Sequence, residues 1–176
     1  MAAEGVSAAA ERVGAGNGRY SIEVLMKFLL RKYLSEGDIK DITAKIAGVE
    51  DQTPGELRVG IRHRRQRREW KLSLHELALN EFTRLGMQRT KNRTGVLILL
   101  LLSERKFQII ADEGIHSRVE EGTWDRIAAD MTSHFKDGNF RKGICAAIDA
   151  VGTELKRHFP RKPDDRNELP NEIVER

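Results

Sequence analysis

The stretch GVLILLLLSERKFQIIADEGIH, Gly95 to His116, decides the fold, because it places seven consecutive aliphatic residues in a chain that is 33% charged. The aliphatic run Val96–Leu102 is far shorter than the roughly 20 residues that a membrane-spanning helix requires. A short run of this kind, bounded by glycine and by polar residues, predicts a strand that is covered on both faces. A second apolar run, Phe107–Ala111, follows closely, so we predict a tight hairpin over Ser103–Lys106 that makes the two strands antiparallel neighbours.

The residues before this hairpin predict a helix, a strand and a second helix. Ser35 is placed to cap a helix from about Glu36 to Val49 as part of a capping box. Residues 57–61 alternate apolar and polar side chains, which predicts a half-buried strand. Ser73 repeats the capping device, and Gly86 is placed to end the second helix in a left-handed conformation. The order strand, helix, central strand predicts a parallel βαβ unit with a right-handed crossover.

Two further helices are predicted after the hairpin. Thr123 is placed to cap the first, and Asp137-Gly138-Asn139 turns the chain into the second. The last helix carries apolar residues at helical spacing until Pro160 stops it. The fold class is therefore α/β: a three-layer α/β/α domain with a mixed β-sheet, built from a βαβ unit plus a β-hairpin, and two C-terminal helices.

Composition divides the chain into four parts. Residues 1–20 are predicted to be a flexible extension, and residues 161–176 a proline- and acid-rich tail. Residues 21–34 have an amphipathic helical pattern, for which we expect docking on the domain or pairing in a homodimer; an anionic membrane surface stays open as an alternative. The folded domain is then 35–160. A lone packing cysteine, Cys145, and an N-terminus without an export signal predict a reduced, cytoplasmic protein.

Carboxylates gather after the second strand of the hairpin. Asp112, Glu113, Glu120, Glu121 and Asp125 lie within fourteen residues, and Gly114 allows a sharp turn among them. Hard cations such as calcium are bound by carboxylate and carbonyl oxygens, so the loop is a candidate weak calcium site; the alternative is a solvated loop with acids at a helix N-terminus. We assign the candidate metal ligands to Asp112, Glu113, Glu120 and Asp125.

A second candidate surface is the basic run RHRRQRRE, Arg62 to Glu69. Neutralising several phosphates gives nonspecific nucleic-acid binding its affinity, and Arg64, Arg65, Arg67 and Arg68 are the candidates for this role. No aromatic residue is interleaved with the arginines, which removes the stacking platform that single strands use. A solvated loop is therefore favoured over nucleic-acid binding.

Three motifs are distributed along the domain: TK-x-x-x-GVLI leads into the central strand, KF-x-II-AD-x-GI forms the hairpin return, and HF-x-x-G-x-F-x-x-G follows them. These motifs resemble the TPM domain family, in a short branch without an export signal. Together with Trp124 and the closing HFP, they cover approximately residues 35 to 160. This resemblance implies an α/β/α fold with a mixed sheet, in agreement with the order of elements above.

The resemblance also implies a calcium site, an acid phosphatase activity reported for thylakoid-lumen members, and accessory or chaperone-like roles at membrane complexes. Family members commonly carry an acid just before an Asn-Gly pair ahead of the central strand. The corresponding stretch here is Asn92-Arg93-Thr94-Gly95, so the acid is missing, whereas Gly114 and its neighbouring acids match. The missing acid weakens both the metal and the phosphatase hypotheses, and Arg93 becomes a candidate anion-binding residue.

The favoured function from sequence is therefore an accessory module that binds an unidentified protein partner, with weak calcium binding at its carboxylate-rich edge. The enzyme alternative is metal-assisted hydrolysis of phosphomonoesters, in which Asp112, Glu113 or Asp125 holds the cation and Asp112 and Asp125 are the catalytic candidates. Nucleic-acid binding through the basic run is the second alternative.

Overall fold

A computed structural model describes residues 32–161 and 173–175 and contains one mixed sheet with helices on both faces. Short 3-10 turns connect some of the elements. In chain order the elements are α1 (Glu36–Glu50), β1 (Leu57–Arg62), α2 (Leu74–Arg84), β2 (Val96–Leu101), β3 (Lys106–Ala111), α3 (Glu113–His116), α4 (Thr123–Lys136), α5 (Phe140–His158) and β4 (Val174–Glu175).

The strand order in the sheet is β3-β2-β1-β4. Strands β1 and β2 are parallel, whereas β2 and β3 are antiparallel, which confirms the predicted βαβ unit and hairpin. Residues 161–176 were predicted to form a tail that is either extended or wrapped over the surface. Val174 and Glu175 add a short parallel strand beside Gly60 and Ile61 of β1, because β1 has an edge that β2 does not cover.

Strand β2 is buried along its whole length, and its two faces belong to different apolar layers. Val96, Ile98 and Leu100 pack with α1, α4 and α5 in the larger core. Leu97, Leu99 and Leu101 point to the other face and pack with α2. The three-layer α/β/α class is thereby confirmed, and the layers follow from the twofold alternation of a strand that is apolar on both sides.

The local start and stop signals behave as predicted in three places. Ser35 and Ser73 both form complete capping boxes with the acid three residues later. Hydrogen bonds from Ser35 lower the pKa of Asp38, and hydrogen bonds from Ser73 lower the pKa of Glu76. Gly86 adopts φ 74°, in the left-handed region, directly after α2.

Three predicted boundaries are wrong. The hairpin turn spans Leu102–Arg105, one residue earlier than predicted, because Arg105 closes it in a left-handed conformation at φ 51°. The N-cap of α4 is Gly122, at φ 79°, and Thr123 is already helical. Lys32 and Tyr33 form a turn, so the helix predicted over residues 21–34 does not reach Leu34; its remainder lies outside the described residues.

Strand β1 is buried on both faces, although its alternating pattern predicted one solvated face. Arg58 and Arg62 occupy the polar positions and are only 6% and 2% exposed. Arg62 donates to Glu69 Oε2 at 2.7 Å and lies 3.9 Å from Glu81, which is itself buried in α2. A polar alternation in sequence therefore marks a buried ion-pair layer between β1 and α2 rather than a wet surface.

We predict that Arg62→Leu destabilises the protein by about 3–5 kcal/mol, because it leaves the carboxylates of Glu69 and Glu81 without this cation in a buried layer. The matched control is Arg64→Leu, two residues away and exposed, for which a change within about 0.5 kcal/mol is expected. Urea unfolding of both variants measures the difference. Equal free energies of unfolding would show that the Arg62 pairs do not stabilise the layer.

Candidate functional site

The loop before β2 and the turn after β3 meet at one end of the sheet. The N–H of Asp112 donates to the carbonyl of Gly95 at 2.9 Å, which holds the two segments side by side. Gly114 lies so close to this loop that a Cβ on it would stand 2.0 Å from the carbonyl oxygen of Asn92 and 2.6 Å from that of Arg93. Only glycine fits this contact, so the motif residues Asn92, Gly95 and Gly114 form one structural unit.

Arg93 and Asp112 form a bidentate ion pair across this junction. Arg93 Nε donates to Asp112 Oδ2 at 2.7 Å, and the guanidinium nitrogen Nη2 of Arg93 donates to Asp112 Oδ1 at 2.6 Å. Arg93 has a left-handed backbone at φ 54°, and its hydrogen bonds to Asp112 raise the pKa of the guanidinium above its ordinary value. Asp112 also caps α3 by accepting from the N–H of Glu113 at 2.9 Å. Both oxygens of this buried carboxylate therefore have donors.

The other predicted metal ligands do not converge on Asp112. Glu113, Glu120 and Asp125 are exposed, and Glu120 lies 3.6 Å from the guanidinium of Arg126. Within residues 32–161 and 173–175, no three histidine, cysteine, aspartate or glutamate side chains are grouped so that they could hold a metal ion. Asp125 instead lies in the first turn of α4, on a groove beside β3.

A calcium ion requires six to eight oxygen ligands, and the residues at this junction do not fit that requirement. Asp112, which is the one buried carboxylate among the predicted metal ligands, already has its charge balanced by Arg93. The guanidinium supplies a positive charge and two directed donors, which is the electrostatic part of what a bound cation would provide. The calcium and phosphatase hypotheses remain predictions, and they require Arg93 to leave Asp112.

The basic run lies at the opposite end of the sheet and divides into two kinds of arginine. Arg62 is buried in β1, and Arg65 bonds to Glu104 and to the carbonyl of Leu72, tying this loop to the hairpin turn. The hydrogen bond from Arg65 lowers the pKa of Glu104. Arg64, Arg67 and Arg68 are exposed. Of the four arginines predicted to face nucleic acid, Arg65 is therefore structural.

Trp70 follows these arginines and is 70% exposed, which is unusual for so large an apolar side chain. The prediction for the basic run considered only aromatic residues between the arginines and therefore missed Trp70, which directly follows Glu69. The signal was available in the sequence, because Trp70 falls between the 3-10 turn Arg67–Glu69 and the capping residue Ser73, at a position that no apolar stripe includes.

Comparisons with known proteins bear on this geometry. The sequence pattern of the TPM domain matches residues 30–154. The BA42 protein of the psychrophilic bacterium Bizionia argentinensis is 33% identical, with a TM-score of 0.74, covering 82% of this chain and 96% of that one. The N-terminal domain of a P. gingivalis protein, at 21% identity over 74% of this chain and 83% of that one, with a TM-score of 0.60, shares the fold. No functionally curated protein matches the chain.

None of the helices within the described ranges is both long enough and apolar enough to cross a membrane.

We predict that Gly114→Ala destabilises the protein by about 3 kcal/mol, because the added Cβ meets backbone carbonyls that cannot rotate away. Gly48→Ala is the matched control: Gly48 lies in α1 with open space around it, so alanine should stabilise the protein by about 0.5–1 kcal/mol. Thermal unfolding of both variants is the measurement. A Gly114→Ala protein as stable as the wild type would show that the two loops can separate without loss.

Proposed function

Because the chain belongs to the TPM domain family, we propose that it is an accessory interaction module in which Arg93 takes the position of a bound cation at Asp112. The single observation that carries the proposal is the bidentate pair between Arg93 and the buried Asp112 carboxylate. An internal cation stabilises the junction without a dissociable metal. The chain then has no bound ion to polarise a phosphoryl group, which removes the Lewis acid that the phosphatase hypothesis needs.

Several contacts favour a permanent pair over a site that awaits a ligand. The left-handed backbone of Arg93 directs its side chain back across the loop, and Gly114 seats the next turn against the same loop. Asp112 is only 6% exposed, so an incoming ion would have to displace the guanidinium before it reached either oxygen. Displacement would leave the cationic side chain beside the new ion, and like charges at that separation repel.

Calcium tests this proposal through thermal stability. We expect millimolar calcium to leave the unfolding temperature of the wild type unchanged, because Arg93 already neutralises Asp112. Arg93→Asp removes the cation and adds a carboxylate beside Asp112, so calcium should stabilise this variant, by about 1.4 kcal/mol at ten times its dissociation constant. The control is Arg93→Gln, which removes the charge without adding a carboxylate and should respond less than Arg93→Asp.

The contradicting outcome is a calcium-dependent rise in the wild type that Asp112→Asn abolishes. That result would show that Asp112 is a calcium ligand in the wild-type protein. If the same wild-type protein also hydrolysed p-nitrophenyl phosphate and Asp112→Asn did not, the metal-assisted phosphatase hypothesis would replace the one proposed here.

A second candidate function, weak binding of single-stranded nucleic acid, is favoured by the exposed Trp70 beside Arg64, Arg67 and Arg68. No ion pair with a described acidic residue involves any of these three arginines. An exposed indole provides the stacking platform whose absence argued against this function, and the arginines provide charge for the phosphate backbone. Burial lowers the pKa of the neighbouring His63, and the positive charge of Arg64 lowers it further, so both effects disfavour the protonated form.

The nucleic-acid candidate predicts that an oligothymidylate quenches tryptophan fluorescence at low salt. Three phosphate contacts give a slope of about −2 in a plot of log affinity against log salt. Trp70→Ala should weaken binding by about 1–3 kcal/mol, the contribution of one stacked base. Trp124 is the internal control for the fluorescence signal, since its indole is partly buried beside β3 and lies away from the basic run. Quenching that persists in Trp70→Ala would exclude the basic loop as the binding surface.

A further inference from the structure

Strand β3 forms the outer edge of the sheet, and half of its backbone groups point away from β2. The hydrogen bond from Asp112 to Gly95 fixes those two residues as a hydrogen-bonded pair. Because such pairs alternate along an antiparallel ladder, Ile110, Gln108 and Lys106 also bond to β2. The backbone groups of Phe107, Ile109 and Ala111 must then face outward.

The outward edge has almost no partners among the described residues. One contact is present: the side chain of Gln108 donates from Nε2 to the carbonyl of Ile109 at 3.2 Å. No other backbone hydrogen bond within residues 32–161 and 173–175 joins the outer side of β3. An edge of this kind is a template for another strand.

A groove of about 880 Å³ runs beside this edge, between β3 and α4. Aromatic side chains line the groove and pack on one another, in two edge-to-face pairs and one tilted pair. Phe107 packs on Phe135 with centroids 5.7 Å apart, and Phe140 packs on Phe135 at 5.1 Å and on Tyr33 at 5.0 Å. Since these rings are only partly buried, they can accept apolar side chains from a strand added at β3.

The rim of the groove is basic. Lys32, Arg105, Lys106 and Lys136 line it, with Asp125 as the one acid among the lining residues, and Lys106 also lies 3.8 Å from Glu104 Oε2. A second copy of this chain would bring an equally basic rim to the contact, which is unfavourable. The preceding residues of the chain, 21–31, contain Lys27 and Arg31 against Glu23 and so carry a net positive charge as well. Charge complementarity selects a different partner, one that is acidic.

We propose that β3 and this groove bind an extended segment of a partner protein in which apolar residues alternate with acidic ones. The segment adds to the sheet as a fifth strand beside β3, through the outward N–H and carbonyl groups of Phe107, Ile109 and Ala111. Its apolar side chains enter the aromatic groove, and its acids meet the basic rim. The inference deepens the proposed interaction module by naming its surface and the chemistry of its partner.

Amide hydrogen exchange of the full chain tests the proposal residue by residue. In the free protein, the amides of Phe107 and Ile109 should exchange rapidly while those of Gln108 and Ile110 are protected by β2. Adding a short synthetic peptide in which glutamate alternates with valine should protect Phe107 and Ile109 at least tenfold. A peptide with lysine in place of glutamate is the control for charge and should leave both amides fast.

Three outcomes overturn the proposal. Protection of Phe107 and Ile109 in the free protein at every concentration would assign the edge to the chain's own residues 1–31, and protection that grows with concentration would assign it to a second copy. Equal protection by the glutamate and lysine peptides, or no protection by either, would exclude the hypothesis that the partner segment is acidic. The calcium response at Arg93 is measured separately, so failure at this edge and failure of the proposed cation replacement are distinguishable.

A pair of variants isolates the backbone contact. Ile109→Pro removes an N–H that faces outward and leaves the ladder to β2 intact, as proline on an edge strand does. Ile109→Ala shortens the same side chain and keeps the N–H. We expect the glutamate peptide to bind Ile109→Pro about tenfold more weakly than Ile109→Ala. Equal affinities would contradict strand addition, and if the proline variant fails to fold, the exchange pattern of the wild type still decides.

Discussion

The structure depends on the complete burial of β2, whose six residues are apolar and covered on both faces. A strand in that position needs a hydrogen-bonded neighbour on each side and an apolar layer above and below. The chain supplies β1 and β3 as neighbours, α1, α4 and α5 as one layer, and α2 as the other. The polar groups that adjoin β2 therefore lie at its two ends, whereas the buried ion pairs of Arg62 lie between β1 and α2.

The two ends of β2 have different chemistry for this reason. At its beginning, Asp112 returns from β3 to face Gly95, and Arg93 balances the buried carboxylate. Beyond its end, the loop after β1 and the hairpin turn are joined by Arg65 and Glu104, with Trp70 and three exposed arginines outside them. We interpret the first end as a closed structural junction and the β3 edge as the recognition surface. The exposed arginines and Trp70 form a separate surface, and the salt dependence of oligothymidylate binding tests whether this surface binds nucleic acid.

Local signals in the sequence were sufficient for much of the fold. Ser35, Ser73 and Gly86 act through atoms within four residues, so their roles follow from the sequence alone. Burial of Arg62 could not be inferred, because it depends on Glu81, nineteen residues away across a layer. The two-residue strand β4 likewise depends on a distant partner, the edge of β1 that β2 does not cover, and the composition of the tail does not predict it.

The candidate site was missed through a small error in the hairpin. A turn at Ser103–Lys106 would place Asp112 opposite Leu97, whereas the observed turn places it opposite Gly95, next to Arg93. The sequence therefore indicated Arg93 as an anion-binding candidate in the stretch where the family's acid is missing, and Asp112 as a metal ligand, but it did not indicate that the two side chains pair.

The side-chain Nε–H resonance of Arg93, recorded by NMR with and without calcium, reports directly on the pair between Arg93 and Asp112. We expect a protected signal that Asp112→Asn moves and that millimolar calcium leaves unchanged. A wild-type signal that shifts to the position of a free arginine as calcium is added would contradict this expectation.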